Sequence, residues 1–253
     1  MSSEEELLYK RFSELARRSA GCGYFVFTDF LGLGERSIFL SAMADFGASV
    51  RYDLFGGACG TERVMARLGD EEEIGYSSPY PIKTVKIEPQ APKFAENLTH
   101  RDYLGSILAL GIDRSKVGDI VILDGETLVF AEEQIAKYIA ESLDTVRHTK
   151  VRCSITDELP QGPLFNTRRI KIQAVGERLD GVVAKVFSLS RDEAARLFHK
   201  GLVFIDGSLC ESLSKIPKQG QVVSVRGKGR FIYLGYETLT KKGKKNIEVE
   251  LYV

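Results

Sequence analysis

Arg178 and Arg191 stand where two predicted helices begin, and Arg226, Lys228 and Arg230 alternate with glycine in the run RGKGR. Helix starts expose unpaired N–H groups and a partial positive charge, so arginines there are suited to hold phosphate. In an extended chain alternate residues share a face, which would aim all three cations of RGKGR the same way. The glycines between them let a backbone approach closely. Ser190 is placed to cap the second helix and to touch a phosphate, Lys200 lies at the far end of that helix, and KKGKK from Lys241 to Lys245 adds diffuse charge. The chemistry implied is the gripping of a polyanion. Such binding weakens steeply with salt, because each phosphate neutralised releases counterions.

The charge distribution agrees with this. The 253 residues hold 35 Lys+Arg and 35 Asp+Glu, yet from Asn166 onward 17 are basic and 9 acidic, a net of +8 against −8 before it. Such a split points to nucleic-acid contact by one part of a chain. A solvated basic face would give the same count, so position must decide.

The apolar fraction of 43% and charged fraction of 28% are those of a soluble globular protein. No apolar run approaches the roughly 20 residues that span a bilayer, and the start MSSEEELLYKRF is acidic and polar, unlike a secretory leader. The expectation is a cytoplasmic chain without membrane contact. Four scattered cysteines, Cys22, Cys59, Cys153 and Cys210, form no CxxC pair and read as reduced thiols.

The elements that must position these residues follow from pattern. Apolar spacing predicts an amphipathic helix over 5–18, then the β-rich YFVFTDFL, a helix in GERSIFLSAMADFG closed by Gly47, and strands in ASVRYDLFGG and ERVMARLG. The acidic DEEE and the prolines of YSSPYPI suggest a loop or boundary near residue 80. From there VKIEPQ, a helix capped by Thr99 and Asp102, the hairpin GDIVIL/TLVFAEE turning at Asp124-Gly125, the helix EEQIAKYIAESLDTV and the strand TKVRCSIT run β-α-β-β-α-β. That order is ferredoxin-like, an architecture shared by RNA-recognition modules, although no run carries their aromatic signature. DELPQGPLFN, Asp157 to Asn166, reads as a linker. Beyond it come a helix bearing Leu179, Val182, Val183, Val186 and Phe187, and a second with the capping box Ser190 to Glu193, stopped by Gly201. The strand LVFIDG and at least one more strand or hairpin in VVSVRGKGRFIYLGY complete the pattern.

The stretch RLDGVVAKVFSLSRDEAARLFHKGLVFIDG resembles the RNA-binding domain named after small-subunit ribosomal protein four, the αL motif. Asp206 stands where that pattern usually has Asn, and Gln221 where it usually has Asp after Gly220. TDFL, LFGG…TER, KFAENLTHRDYLGSILALGIDRSKVGDI and SVRGKGRF extend the resemblance over most of the chain to the bacterial YlmH family. The resemblance implies an α+β protein of three parts: an N-terminal α/β domain at 1–82, a central ferredoxin-like RNA-binding domain at 83–165 and an αL domain at 166–253. It further implies association with ribosomal RNA of the large ribosomal subunit, a part in rescue of stalled translation with peptidyl-tRNA, and a genomic link to cell division.

Rival chemistries fail on particular residues. His100-Arg101-Asp102 has the letters of a kinase catalytic loop, but Ile107 stands where its asparagine belongs; Arg101 reads instead as a further RNA contact, or as the ion-pair partner of Asp102. His148 and His199 have no second metal ligand at useful spacing, and FGGACGTER lacks both GKS/T and GxGxxG. No enzyme, cofactor, metal or small-molecule substrate is expected. The alternatives are the RNA-binding targeting arm of an RNA-modifying enzyme, a cell-division-linked scaffold, and a DNA-binding regulator, for which no recognition-helix pair is apparent.

Overall fold

The computed structural model describes residues 3–159, 165, 167–239 and 243–252. It is a mixed α+β structure dividing into two compact units, Met1–Leu164 and Phe165–Val253. Most of the expected linker, and Lys241 and Lys242 of KKGKK, lie outside the described residues.

The first unit opens with α1 (Ser3–Cys22), β1 (Val26–Phe27), α2 (Leu33–Phe46), β2 (Tyr52–Phe55) and β3 (Met65–Leu68). The strands form an antiparallel sheet in the order β1-β3-β2. Phe12 and Ala16 of α1 meet Phe39, Ala42 and Met43 of α2 and Ala66 and Leu68 of β3 in one core, with Phe12 edge-on to Phe39 at 5.4 Å. DEEE, read as loop or boundary, instead makes a one-turn helix α3 (Glu71–Ile74), because the Asp70 carboxylate accepts the Glu72 N–H at 3.0 Å and caps it.

The same unit continues through β4 (Ile82–Pro89), α4 (His100–Ala109), β5 (Val117–Ile122), β6 (Thr127–Glu132), α5 (Glu133–Ser142), β7 (Thr145–Val146) and β8 (Thr149–Thr156). Their sheet runs β5-β6-β4-β8-β7 with every neighbour antiparallel. Val85, Ile87, Val129 and Ala131 face Tyr103 and Ile107 of α4 and Ala136 and Ile139 of α5. The residues expected as two domains, 1–82 and 83–165, thus share one compact unit, and an arginine-rich seam joins them. Arg63 donates from Nε to the Val117 carbonyl and from Nη2 to the Phe30 carbonyl, each at 3.0 Å. Phe30 N–H donates to the Ser115 carbonyl at 2.9 Å, and Lys116 bridges Asp29 at 2.9 Å and Glu132 at 2.7 Å. Burial pushes the Arg63 pKa down, against the pull of Glu35 and Asp119. Burial, helped by the Arg63 charge, brings Arg114 down to about 10.

The second unit holds β9 (Thr167–Ala174), α6 (Leu179–Val186), α7 (Arg191–His199), β10 (Val203–Ile205), β11 (Ser208–Leu209), β12 (Val222–Val225), β13 (Gly229–Leu239) and β14 (Lys245–Tyr252). These strands form an antiparallel sheet in the order β11-β10-β12-β13-β14-β9. Leu179, Val182 and Val183 of α6 and Ala194 and Phe198 of α7 pack on Val203, Val223, Phe231 and Val249. β10 turns into β11 through Asp206 and Gly207, at φ 48° and 79°, the two left-handed residues that a tight hairpin of this hand requires. No helix of the described residues is long and apolar enough to cross a membrane.

Candidate nucleic-acid interface

α6 and α7 start close together, and one carboxylate ties the two starts. Arg178, the N-cap residue of α6, donates from Nε and Nη2 to the two Asp180 oxygens at 3.1 and 3.2 Å. Arg191, first residue of α7, brings its Nε to 3.7 Å from Asp180 Oδ2. The Asp180 side chain is 7% exposed, whereas Arg178 and Arg191 are 51% and 65% exposed. A buried carboxylate therefore fixes two guanidiniums that each keep N–H donors beyond those Asp180 accepts. Burial alone would push the Asp180 pKa up. The Arg178 and Gly181 hydrogen bonds, with the charges of Arg178 and Arg191, outweigh it and hold the carboxyl below its ordinary value.

Ser190 caps α7: its Oγ accepts the Glu193 N–H at 3.2 Å, while the Glu193 carboxylate accepts from Ser190 N–H at 2.8 Å and from its hydroxyl at 2.7 Å. Those bonds from Ser190 hold Glu193 below its usual pKa, and the Lys228 and Arg196 charges add to the effect. Lys228 thus belongs electrostatically with the first turn of α7.

RGKGR does not run extended, so the expected alternation of Arg226, Lys228 and Arg230 along one face does not form. Val225 pairs with Gly229 to close the β12–β13 hairpin, Lys228 N–H donates to the Val225 carbonyl at 3.0 Å, and Gly227 takes φ 79°. That left-handed third residue is what a type II turn demands, and glycine meets it without strain. Arg226 lies over the Phe204 ring at 4.5 Å and Arg230 over Tyr252 at 4.3 Å. Phe204, Ser224 and Arg230 are register partners, and the intervening positions Val223 and Phe231 face the helices. Arg226 and Arg230 therefore stack on the sheet surface away from α6 and α7. Lys200 is the C-cap of α7, about 15 Å along the axis from Ser190 at 1.5 Å per residue. Of the residues singled out from sequence, Arg178, Ser190 and Arg191 come together, and Lys228 reaches them only through its charge on Glu193; Lys200, Arg226 and Arg230 stand apart from them, and Arg101 belongs to the other unit. Asp180 is a residue that the sequence reading does not single out. Its place two residues after Arg178 was visible, its burial was not.

Some of the cations of this unit already have carboxylate partners within it. On β9, Arg169 meets Glu250 at 3.4 Å and Lys171 meets Glu237 and Glu248 at 2.8 and 2.7 Å.

Comparison with known proteins agrees with the YlmH resemblance. The family model described as "Putative RNA-binding domain in YlmH" matches residues 77–158. The "Ribosome-associated protein quality control protein P2" of Bacillus subtilis (strain 168) is 30% identical over 224 residues, 88% of this chain and 86% of that protein. The chain belongs to the YlmH family. A solved structure, the "Cell division protein ylmH from Streptococcus pneumoniae", is 19% identical and covers 62% of this chain and 93% of its own, with a TM-score of 0.49.

In this YlmH-family chain the matched segment is the β4–β8 sheet with α4 and α5, and Arg101 falls inside it. Arg101 is exposed on α4. It is not the partner of Asp102, which caps the helix through Thr99 N–H at 2.8 Å and meets Arg147 at 3.6 Å. The sheet surface away from the helices offers no stacking platform. Leu128 and Phe130 on β6 are 1% and 0% exposed, and Gly57 packs so closely that an added Cβ would lie 2.4 Å from the Phe130 ring. The rest of that surface carries Thr84, Lys86 and Glu88 opposite Thr156, Ser154 and Arg152, with no aromatic ring. In the second unit, the two residues that depart from the αL pattern touch: Gln221 Nε2 donates to Asp206 Oδ2 at 2.8 Å, and Val222 N–H to Asp206 Oδ1 at 2.9 Å.

Proposed function

We propose that this chain is a non-enzymatic RNA-binding protein that works on the ribosome, gripping RNA phosphates with a C-terminal domain of the αL type. The observation that carries the reading is the pair Arg178 and Arg191, anchored by the buried Asp180 at two adjacent helix starts. The relative named for ribosome-associated quality control and the matched RNA-binding model support ribosomal RNA as the polyanion. The βαββαβ succession with β4 beside both β6 and β8 supports a ferredoxin-like reading of the matched segment. Its sheet surface, covered over Phe130 and without rings elsewhere, argues for contacts through helix residues such as Arg101 rather than base stacking. Following the family, the particle is the large subunit, the setting is stalled translation with peptidyl-tRNA, and the protein is cytoplasmic.

Arg191→Ala with Lys228→Ala tests this, because neither residue is the bidentate partner of Asp180. In filter-binding titrations of ribosomal RNA at several salt concentrations, the pair is expected to lower the log–log salt slope by about 2, with the fold retained by circular dichroism. An unchanged slope would remove the α6–α7 starts from the RNA contact. Sedimentation of the protein with ribosomal subunits over a gradient separates the ribosomal reading from a scaffold that binds only proteins.

A further inference from the structure

Between α6 and the start of α7 lies a cavity of about 580 Å³, within the roughly 300–1,000 Å³ typical of small-ligand sites. Val175, Gly181, Ala184 and Leu189 give it an apolar lining, and Arg178, Lys185 and Arg191 bring cations to it. Two observations mark it as built for an occupant. Val175 leaves 81% of its surface in water, an apolar side chain with nothing of the unit covering it. Gly181 is the third residue of α6, and a Cβ added there meets nothing within 4 Å. No neighbour in the fold needs that space.

We infer that this cavity receives one unpaired nucleotide of the bound RNA, its base lying on the apolar lining and its flanking phosphates on Arg178 and Arg191. The inference rests on the RNA-binding reading above and adds to it a preference for RNA with an extruded base. The chemistry of the pair fits. A nucleobase offers an apolar face needing an apolar surface, and its phosphates need cations within one nucleotide's reach. A paired helix would bring phosphates to the cations and leave the apolar lining wet.

The test uses the full chain and two labelled RNA hairpins that differ only by one bulged nucleotide, with binding read by fluorescence anisotropy. The wild-type protein is expected to bind the bulged hairpin about tenfold more tightly, the worth of one well-stacked base. Gly181→Leu fills the cavity with a good helix former. It is expected to abolish the preference while leaving affinity for the paired hairpin and its salt dependence unchanged. Gly181→Ala, whose melting curve should match or exceed wild type, controls for folding. Equal wild-type binding of both hairpins, or a preference that survives Gly181→Leu, overturns the cavity's role and leaves the phosphate grip standing; failure to bind either hairpin at low salt overturns both.

Discussion

Two pairs of arginines are fixed by this fold, and they are fixed differently. Arg63 and Arg114, in the seam of the first unit, spend their donors on backbone carbonyls of Phe30, Val117 and Gly118. Burial depresses their pKa values, and both side chains are half-buried. Arg178 and Arg191 share one buried carboxylate between them and remain more than half exposed. The first arrangement turns cations into mortar, and the second aims them outward with a net positive charge. An arginine is open to a partner in proportion to the N–H donors left over after the fold has taken its share.

The largest expected effect breaks the structural pair. Arg63→Ala leaves the Phe30 carbonyl without its arginine donor and takes one of two arginine donors from Val117, where Arg114 remains, and should cost about 2–4 kcal/mol in denaturant unfolding. Ribosomal RNA affinity of the folded fraction should stay within about twofold, the uncertainty expected where no phosphate contact is lost. A loss of RNA binding without a loss of stability would erase the distinction between the pairs.

A smaller effect sharpens the other half. Asp180→Asn removes the charge that Arg178 and Arg191 share, and should cost about 1–3 kcal/mol near neutral pH. Because folding depresses the Asp180 pKa, its contribution is present above the unfolded value of about 4 and is lost as pH falls through the folded one. The stability gap between wild type and Asp180→Asn should therefore narrow below about pH 4. A gap independent of pH would mean that the carboxylate's charge is not what anchors the two helix starts. The smallest effect is expected on β9, where Lys171→Ala removes an exposed cation already paired with Glu237 and Glu248. The RNA affinity should not move, and the unfolding midpoint should fall only slightly, because Arg169 stays 4.0 Å from the buried Glu248.

How much of this could be read from the chain follows the range of the interactions. The starts of α4 and α7 were legible because Thr99 with Asp102 and Ser190 with Glu193 are three residues apart and cap locally. β9 and β14 went unread, although they form one of the long ladders of the second unit, from Lys245↔Ala174 to Tyr252↔Thr167. Each is one half of a pairing across most of that unit, and the cations of TRRIKIQA obscure Ile170 and Ile172 until Glu248 and Glu250 lie opposite. The seam at Arg63 was invisible for the same reason, since its partners come from Phe30 and Val117. At the candidate site, the helix-start arginines were legible and the course of RGKGR was not, because Gly227 decides between a strand and a turn only once β12 and β13 pair. Charge counting overestimated the cations open to a partner, since Arg169 and Lys171 already have carboxylates across the sheet.

The hydrogen bond between Asp206 and Gln221 makes these positions mutationally dependent on each other. An amide at 206 could still accept the Val222 N–H through its oxygen, but would then present an NH₂ group to the NH₂ of Gln221, donor against donor. Changing Asp206 alone to Asn should therefore damage the β10–β11 hairpin more than changing both residues together to Asn and Asp, and a double-mutant cycle would register the rescue. Sequence drift at this corner is expected to proceed by paired exchange, so residue 206 predicts residue 221 better than either predicts its chain neighbours.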